Sequence, residues 1–149
     1  AALLIGFARA IQVVLDDGQI IDTIINSIAN LLQGTGPEVS ASGMLAVQTV
    51  CNLFIPSGSG QAYVTMPIMS PLATLTDVPQ QTAVLAYQFG DGFTNMIVPT
   101  SALVMGTLAL GRIPYGAWVK FVGPLLLKLF ALAVVFLIVT IHLGPGLGF

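Results

Sequence analysis

The chain has 149 residues, 56% of them hydrophobic and 7% charged, with a formal net charge of −2 and a mean hydropathy of +0.96. A soluble domain carries about 25% charged residues, so this composition excludes one and reads as an all-α integral membrane protein embedded in a lipid bilayer. No basic patch offers a surface to nucleic acid, and the single cysteine, Cys51, excludes an internal disulfide and reads as a small apolar packing residue.

Ala1 opens in mid-hydrophobic sequence without an initiator Met or a signal-peptide layout, so the chain reads as a piece of a longer protein. Residues 1–17 read as the end of a membrane helix, closed by Asp16-Asp17-Gly18. Arg9 lies inside it, either snorkelling to the helix end or as a buried partner for a carboxylate elsewhere in the bundle. Residues 19–33 place Ile20, Ile21, Ile24, Ile25, Ile28, Leu31 and Leu32 at three- and four-residue spacing, with Asp22, Asn26, Ser27 and Asn30 opposite. That pattern predicts an amphipathic helix, expected along the membrane interface between moving and fixed parts. Gly34 to Ser42 reads as a loop, with an N-cap at Ser40 or Ser42.

The stretch Asn52 to Ala62, NLFIPSGSGQA, interrupts membrane-grade sequence. The arms before and after it, Gly43–Ile55 and Gln61–Leu75, are uncharged and each would be about 20 Å long as a helix. A hydrocarbon core of about 30 Å needs around 20 residues. Residues 43–76 therefore predict a re-entrant helical hairpin with its tip at Ser57–Gly60. Non-helical backbone at that depth is tolerated only where it is buried in protein or lines a wet cavity, which makes the tip a candidate site. Pro67 and Pro71 predict a kinked or partly unwound second arm. Thr76 to Gln80 is the polar turn out of the membrane.

Residues 81–111 predict a broken transmembrane helix, interrupted over Asp91–Thr100 by DGFTNMIVPT. Two interrupted membrane segments in succession are the mark of a secondary-transporter site. Residues 117–143 are the one plain spanning helix, with Tyr115 and Trp118 suited to the interfacial aromatic belt, Lys128 snorkelling and His142 near the far interface. The tail GPGLGF reads as a frayed end. Arg112, Lys120 and Lys128 cluster around the start of this helix. The positive-inside rule makes that end cytoplasmic, so the hairpin is expected to enter from the outer face.

Between Gly43 and Gly111 the only charged residues are Asp77, in the exit turn, and Asp91, at mid-membrane. An ionised carboxylate at that depth costs several kcal/mol unless paired. Asp91 could serve as a helix cap, but it is read here as binding a coupling cation, Na⁺ or H⁺, with Asn95 as a second Na⁺ ligand. Carbonyls at helix ends near Ile55 and Gly90 would help. Free N–H groups at helix starts near Gln61 and Ser101 suit an anion. Asn52, Ser57, Ser59, Thr94, Asn95 and Thr100 supply neutral ligands, and Gly58, Gly60, Gly90 and Gly92 let backbone approach a ligand closely. No resident cofactor is expected. PSGSGQA lacks the Gly-Lys-Ser/Thr of a phosphate loop. His142, the only histidine, is too near the surface for an intramembrane serine protease, and no Cys/His/acid cluster forms a metal site.

IPSGSGQAYVTMPIMSPLA, QTAVLAYQFGDGFTNMIVPTS and the opening IGFARAIQVVLDDGQIIDTI strongly resemble the YfcC family, allied to the anaerobic four-carbon-dicarboxylate carriers (DcuC type) of the ion transporter superfamily. The resemblance implies a multi-pass inner-membrane secondary transporter. It implies two inverted repeats, each with a hairpin and a broken helix, elevator-type motion, and homodimers. This chain would be the C-terminal half, needing the N-terminal half as partner. Family members are described as dicarboxylate carriers or basic amino-acid antiporters. The better-known carriers have a Ser-Asn-Thr tip where this chain has Ser57-Gly58-Ser59-Gly60. The leading expectation is a carrier of small carboxylates or amino acids, cation- or proton-coupled or exchanging. The alternatives are an arginine/ornithine-like antiporter, a channel, or a non-transporting truncated stub.

Overall fold

The computed structural model describes residues 35–147, with Gly18 and Ser27 before them. The membrane-helix end at 1–17 lies outside the described residues, and so does the interfacial helix at 19–33 apart from Ser27. The described chain is helical throughout: α1 Pro37–Phe54, α2 Gly58–Leu75, α3 Gln80–Thr94, α4 Ala102–Leu110 and α5 Tyr115–Leu147.

α1 begins at Pro37, several residues before the serines expected to cap it. Proline at the first turn has its φ preset and needs no N–H partner, and Glu38 adds a favourable negative charge there. Ser40 is buried inside the helix, and the Ser42 hydroxyl donates back to the Glu38 carbonyl at 2.8 Å. α2 likewise starts early, at Gly58, with Ser57 as N-cap accepting from the Gly60 N–H. Each arm is thus 18 residues long, about 27 Å, longer than the sequence implied. The turn between them shrinks to Ile55–Ser57, closed by a 2.8 Å bond from the Ser57 N–H to the Ile55 carbonyl, a span that proline's fixed φ suits. Gly58, Ser59 and Gly60 are the first turn of α2 rather than its tip. α2 also stays helical through Pro67 and Pro71, so the expected unwinding does not occur.

α3 is the hub. Its buried face, Thr82, Ala83, Ala86, Tyr87, Gly90 and Thr94, meets the matching face of α1, Ser40, Ala41, Met44, Leu45, Gln48 and Asn52. Both helices start beside the end of α5: Glu38 Oε1 lies 3.1 Å from His142 Nε2, and the Thr82 hydroxyl is 3.2 Å from that of Thr140. They therefore run in the same direction, and α2 returns antiparallel to them. Met69, Leu72, Ala73, Val78, Ala133 and Leu137 complete the core. Gln80 staples the exit turn by bonding Ser70 and Thr74.

Tyr115–Leu143 is the one described helix long and apolar enough to cross a membrane, with a mean hydropathy of 2.6. The helix continues to Leu147, so the tail is helical further than expected. α5 serves as a ruler. Phe93 packs edge-on against Phe130 and Phe89 against Phe136, which places Asp91 near the level of residue 133, about 6 Å from the midpoint of the span at 1.5 Å per residue. The short α4 is apolar all round; Leu103 and Leu110 are 78% and 88% exposed and only Leu108 is buried.

Candidate functional site

The first turn of α2, the last turn of α3 and the end of α1 converge on Asp91. Its Oδ1 accepts two amide N–H bonds, from Asn52 Nδ2 at 2.7 Å and from Asn95 Nδ2 at 2.8 Å. Its Oδ2 faces the start of α2: a β-carbon at Gly58 would come within 3.0 Å of it. Only glycine fits there without displacing the carboxylate. Tyr87, one turn before Asp91, donates its hydroxyl to the Gly58 carbonyl at 2.6 Å and so ties the hairpin to α3.

Behind Asp91 runs a chain of side-chain amides. Asn52 Nδ2 also donates to Gln61 Oε1 at 3.1 Å. Gln61 Nε2 donates to Gln48 Oε1 at 2.7 Å and to the Gln48 carbonyl at 2.9 Å. Gln48, Asn52 and Gln61 are fully buried. Polar side chains this deep stay only where hydrogen bonds replace water. Three buried atoms here, Gln48 Nε2, Asn52 Oδ1 and Thr94 Oγ1, have no partner among the described residues. Gly90 packs directly on Gln48, so one turn further along these parallel helices Thr94 comes level with Asn52.

The structure redraws the expected site in several places. Asp91 is not in the break; α3 continues past it to Thr94, and the break is residues 95–101. The helix-end carbonyls are not left unpaired: Ile55 O accepts from Ser57, and at the shifted end of α3 Asp91 O accepts from Asn95 and Thr94 O from Ile97 and Val98. Gly90 lies a turn inside the helix. Its missing β-carbon makes room for α1, since one there would sit 2.7 Å from Gln48 Cβ and 3.1 Å from backbone atoms of Gln48 and Thr49. Gly60 makes room for the Ser57 cap, and a β-carbon on Gly92 would meet nothing within 4 Å. Asn52, Gly58, Gln61, Asp91 and Asn95 come together; Thr94 stands beside them. Ser57 is spent on capping, Ser59 is exposed, and Thr100 donates to the Leu53 carbonyl at 3.1 Å, pinning the break to the hairpin. Ser101 caps α4 through Val104 N–H, so this helix starts where the sequence placed it.

Sequence reasoning missed Gln48 and Tyr87. A signal existed for Gln48: it lies four residues before Asn52, on one face of α1. Tyr115 and Trp118 were read as an interfacial belt. In the structure the Tyr115 hydroxyl donates to the Ile97 carbonyl at 2.6 Å, and Trp118 Nε1 to the Met96 carbonyl at 2.9 Å. They satisfy backbone groups that the break sets free.

Comparison with known proteins gives one family. The family model described as "C4-dicarboxylate anaerobic carrier" matches residues 1–142. An Escherichia coli (strain K12) protein named "Putative basic amino acid antiporter YfcC" is 45% identical over 142 residues, covering 92% of this chain and 28% of that protein. A Haemophilus influenzae protein named "Uncharacterized protein" is 38% identical over 142 residues, covering 95% of this chain and 28% of its own length. The chain thus spans about 28% of the length of these relatives, nearer a quarter than the half expected, and corresponds to the C-terminal part. No solved structure gives a significant match. This is a membrane protein of a transporter lineage: the chain belongs to the C4-dicarboxylate anaerobic carrier family.

Proposed function

We propose that this chain carries part of the substrate and coupling-ion site of a secondary transporter for small carboxylates or amino acids. The observation that carries the reading is Asp91: a carboxylate near the midpoint of the α5 span, its Oδ1 held by two amides and its Oδ2 facing the start of α2. A carboxylate kept at that depth is expensive unless it works on an ion or substrate. A cation, Na⁺ or H⁺, would neutralise it. The first turn of α2 then offers N–H groups and a positive dipole end to a substrate carboxylate. A helix start and a carboxylate this close repel or attract an anionic substrate according to whether the cation is present, which is the physical content of coupling.

The hairpin reading rests on the same ruler. α1 and α2 both have their outer ends near His142, and their turn lies beside Asp91, so residues 37–75 are proposed to enter and leave by one membrane face. Elevator-type motion, inverted repeats, an inner-membrane location, homodimers and completion of the site by the remainder of the protein are further parts of the proposal. A second reading, exchange of basic amino acids, is favoured by the name of the 45% identical relative and by Asp91 itself, which would pair with a substrate ammonium or guanidinium.

Counterflow tests the reading. Full-length protein in proteoliposomes preloaded with unlabelled succinate, or with arginine, should accumulate the same labelled compound transiently above equilibrium. Equilibration without overshoot for both would mark a channel or an inert protein and reject the carrier.

A further inference from the structure

The amide chain behind Asp91 has a direction, and the carboxylate sets it. In the ionised carboxylate Oδ1 can only accept, and it already does so from Asn95, so Asn52 must turn its NH₂ toward Asp91. Both Asn52 N–H groups are then committed, to Asp91 Oδ1 at 2.7 Å and to Gln61 Oε1 at 3.1 Å. Gln61 must therefore offer its oxygen to Asn52 and its NH₂ to Gln48, where Oε1 and the backbone carbonyl receive it at 2.7 and 2.9 Å. Each amide is fixed by the one before it. The orphaned atoms follow from this order. Gln48 Nε2 is what remains at the far end, and Asn52 Oδ1 is what remains at the near end. Reversing Asn52 would give its oxygen a donor in Gln61 only by turning Gln61 too, and would set oxygen against the carboxylate. A buried acceptor without a partner is costly, and here the network imposes that cost beside the carboxylate, at the level of Thr94, whose hydroxyl is also unpartnered.

We propose that Gln61 and Gln48 are positioning residues for the Asp91 site: through hydrogen bonds of fixed direction they hold the Asn52 amide so that its oxygen stays available, with Asp91 Oδ2 and Thr94 Oγ1, to a bound cation. The inference rests on the cation reading of Asp91 and adds two residues that touch neither cation nor substrate. Such outer partners of a cation site typically change affinity by about 10–100-fold when lost. The relay acts on cation affinity, and the rate at saturating cation is set elsewhere.

Isosteric substitutions read the direction of the hydrogen bonds apart from packing. Gln61→Glu keeps the oxygen offered to Asn52 and loses the donor to Gln48. Gln48→Glu keeps the acceptor that Gln61 uses and replaces only the nitrogen that has no partner. Gln61→Met and Gln48→Met are the uncharged controls. In the full-length protein in proteoliposomes, uptake of labelled succinate or arginine is measured against sodium at fixed pH and against pH at fixed sodium, with melting temperature in parallel. Gln61→Met and Gln61→Glu should raise the half-maximal cation concentration about 10-fold with the saturated rate nearly unchanged. Gln48→Met should raise it less, because the Gln48 backbone carbonyl still holds Gln61, and Gln48→Glu should recover most of that loss. Equal shifts for the two Glu variants, or a loss confined to the saturated rate, would overturn the relay. If the parent shows no dependence on either cation, the coupling reading of Asp91 fails and this role for the relay fails with it. Melting still separates the two failures: Gln61→Glu melting below Gln48→Glu would keep the hydrogen-bond order as architecture alone, and equal melting would reject that order too.

Discussion

At the first interruption the chain turns within Ile55–Ser57, closes the turn with its own backbone and starts a new helix at once. At the second, residues 95–101 form consecutive backbone-bonded turns between α3 and α4 and are braced from elsewhere as well: Tyr115 and Trp118 from the start of α5 hold the Ile97 and Met96 carbonyls, and the segment's own Thr100 reaches the Leu53 carbonyl. The first interruption is compact because proline fixes its φ and Ser57 caps the helix that follows. The second is longer: its own turns and the Ser101 cap satisfy part of its backbone, and the Met96 and Ile97 carbonyls go to aromatic donors. The first interruption closes on a single backbone turn, and the second adds braces from α5 to its own turns. That difference predicts where each can be damaged.

The largest structural effect is expected where α3 packs directly on α1, just before the two interruptions. Gly90→Ala drives a methyl into Gln48 and against backbone of α1, and overpacking of this kind costs about 1–3 kcal/mol. Thermal unfolding of the full-length protein should show a clear drop, and Gly92→Ala, with open space at its β-carbon, should show little. Comparable drops for both would remove the close approach of α1 and α3 from the account. Next comes the outside support. Tyr115→Phe and Trp118→Phe each remove one bond to a freed carbonyl, about 0.5–1.5 kcal/mol. Hydrogen exchange should accelerate over residues 95–101 and leave residues 55–61 unchanged. Acceleration at both places would mean that the interruptions are not supported separately. Tyr87→Phe should do the reverse, loosening Gly58–Gln61 by about 1 kcal/mol. Smallest is Thr100→Val: the hydroxyl is exposed, and a change within about 0.5 kcal/mol is expected.

Much of the site was legible because it violates its surroundings. Asp91, Asn52, Asn95 and Gln61 stand out as polar groups in uncharged membrane-grade sequence, and a polar residue there needs a reason. The number of interruptions and the spanning helix were legible for the same reason. The boundaries were not. Gly90 looked like a helix end, yet a glycine inside a helix costs only about 1 kcal/mol relative to alanine, and contact with Gln48 requires it. Gly58 and Gly60 looked like a loop, yet Ser57 caps a helix that runs through both. Tyr115 and Trp118 have the composition of an aromatic belt, and only the position of the freed carbonyls reveals that they also brace the break. Tyr87 carried no signal of its own. It is an aromatic in an apolar run, and its partner is a backbone carbonyl 29 residues away.

The central claim is that Asp91 couples the cation to transport. Asp91→Asn keeps the shape and removes the charge, and its Oδ1 can still accept from Asn52 and Asn95. Uptake of labelled succinate and arginine by the full-length protein, with and without an imposed sodium or proton gradient, measures the difference. The account predicts that gradient-driven uptake is abolished while melting changes little. Asn would cap a helix about as well as Asp, so uptake near the parent's level with unchanged cation dependence would contradict it.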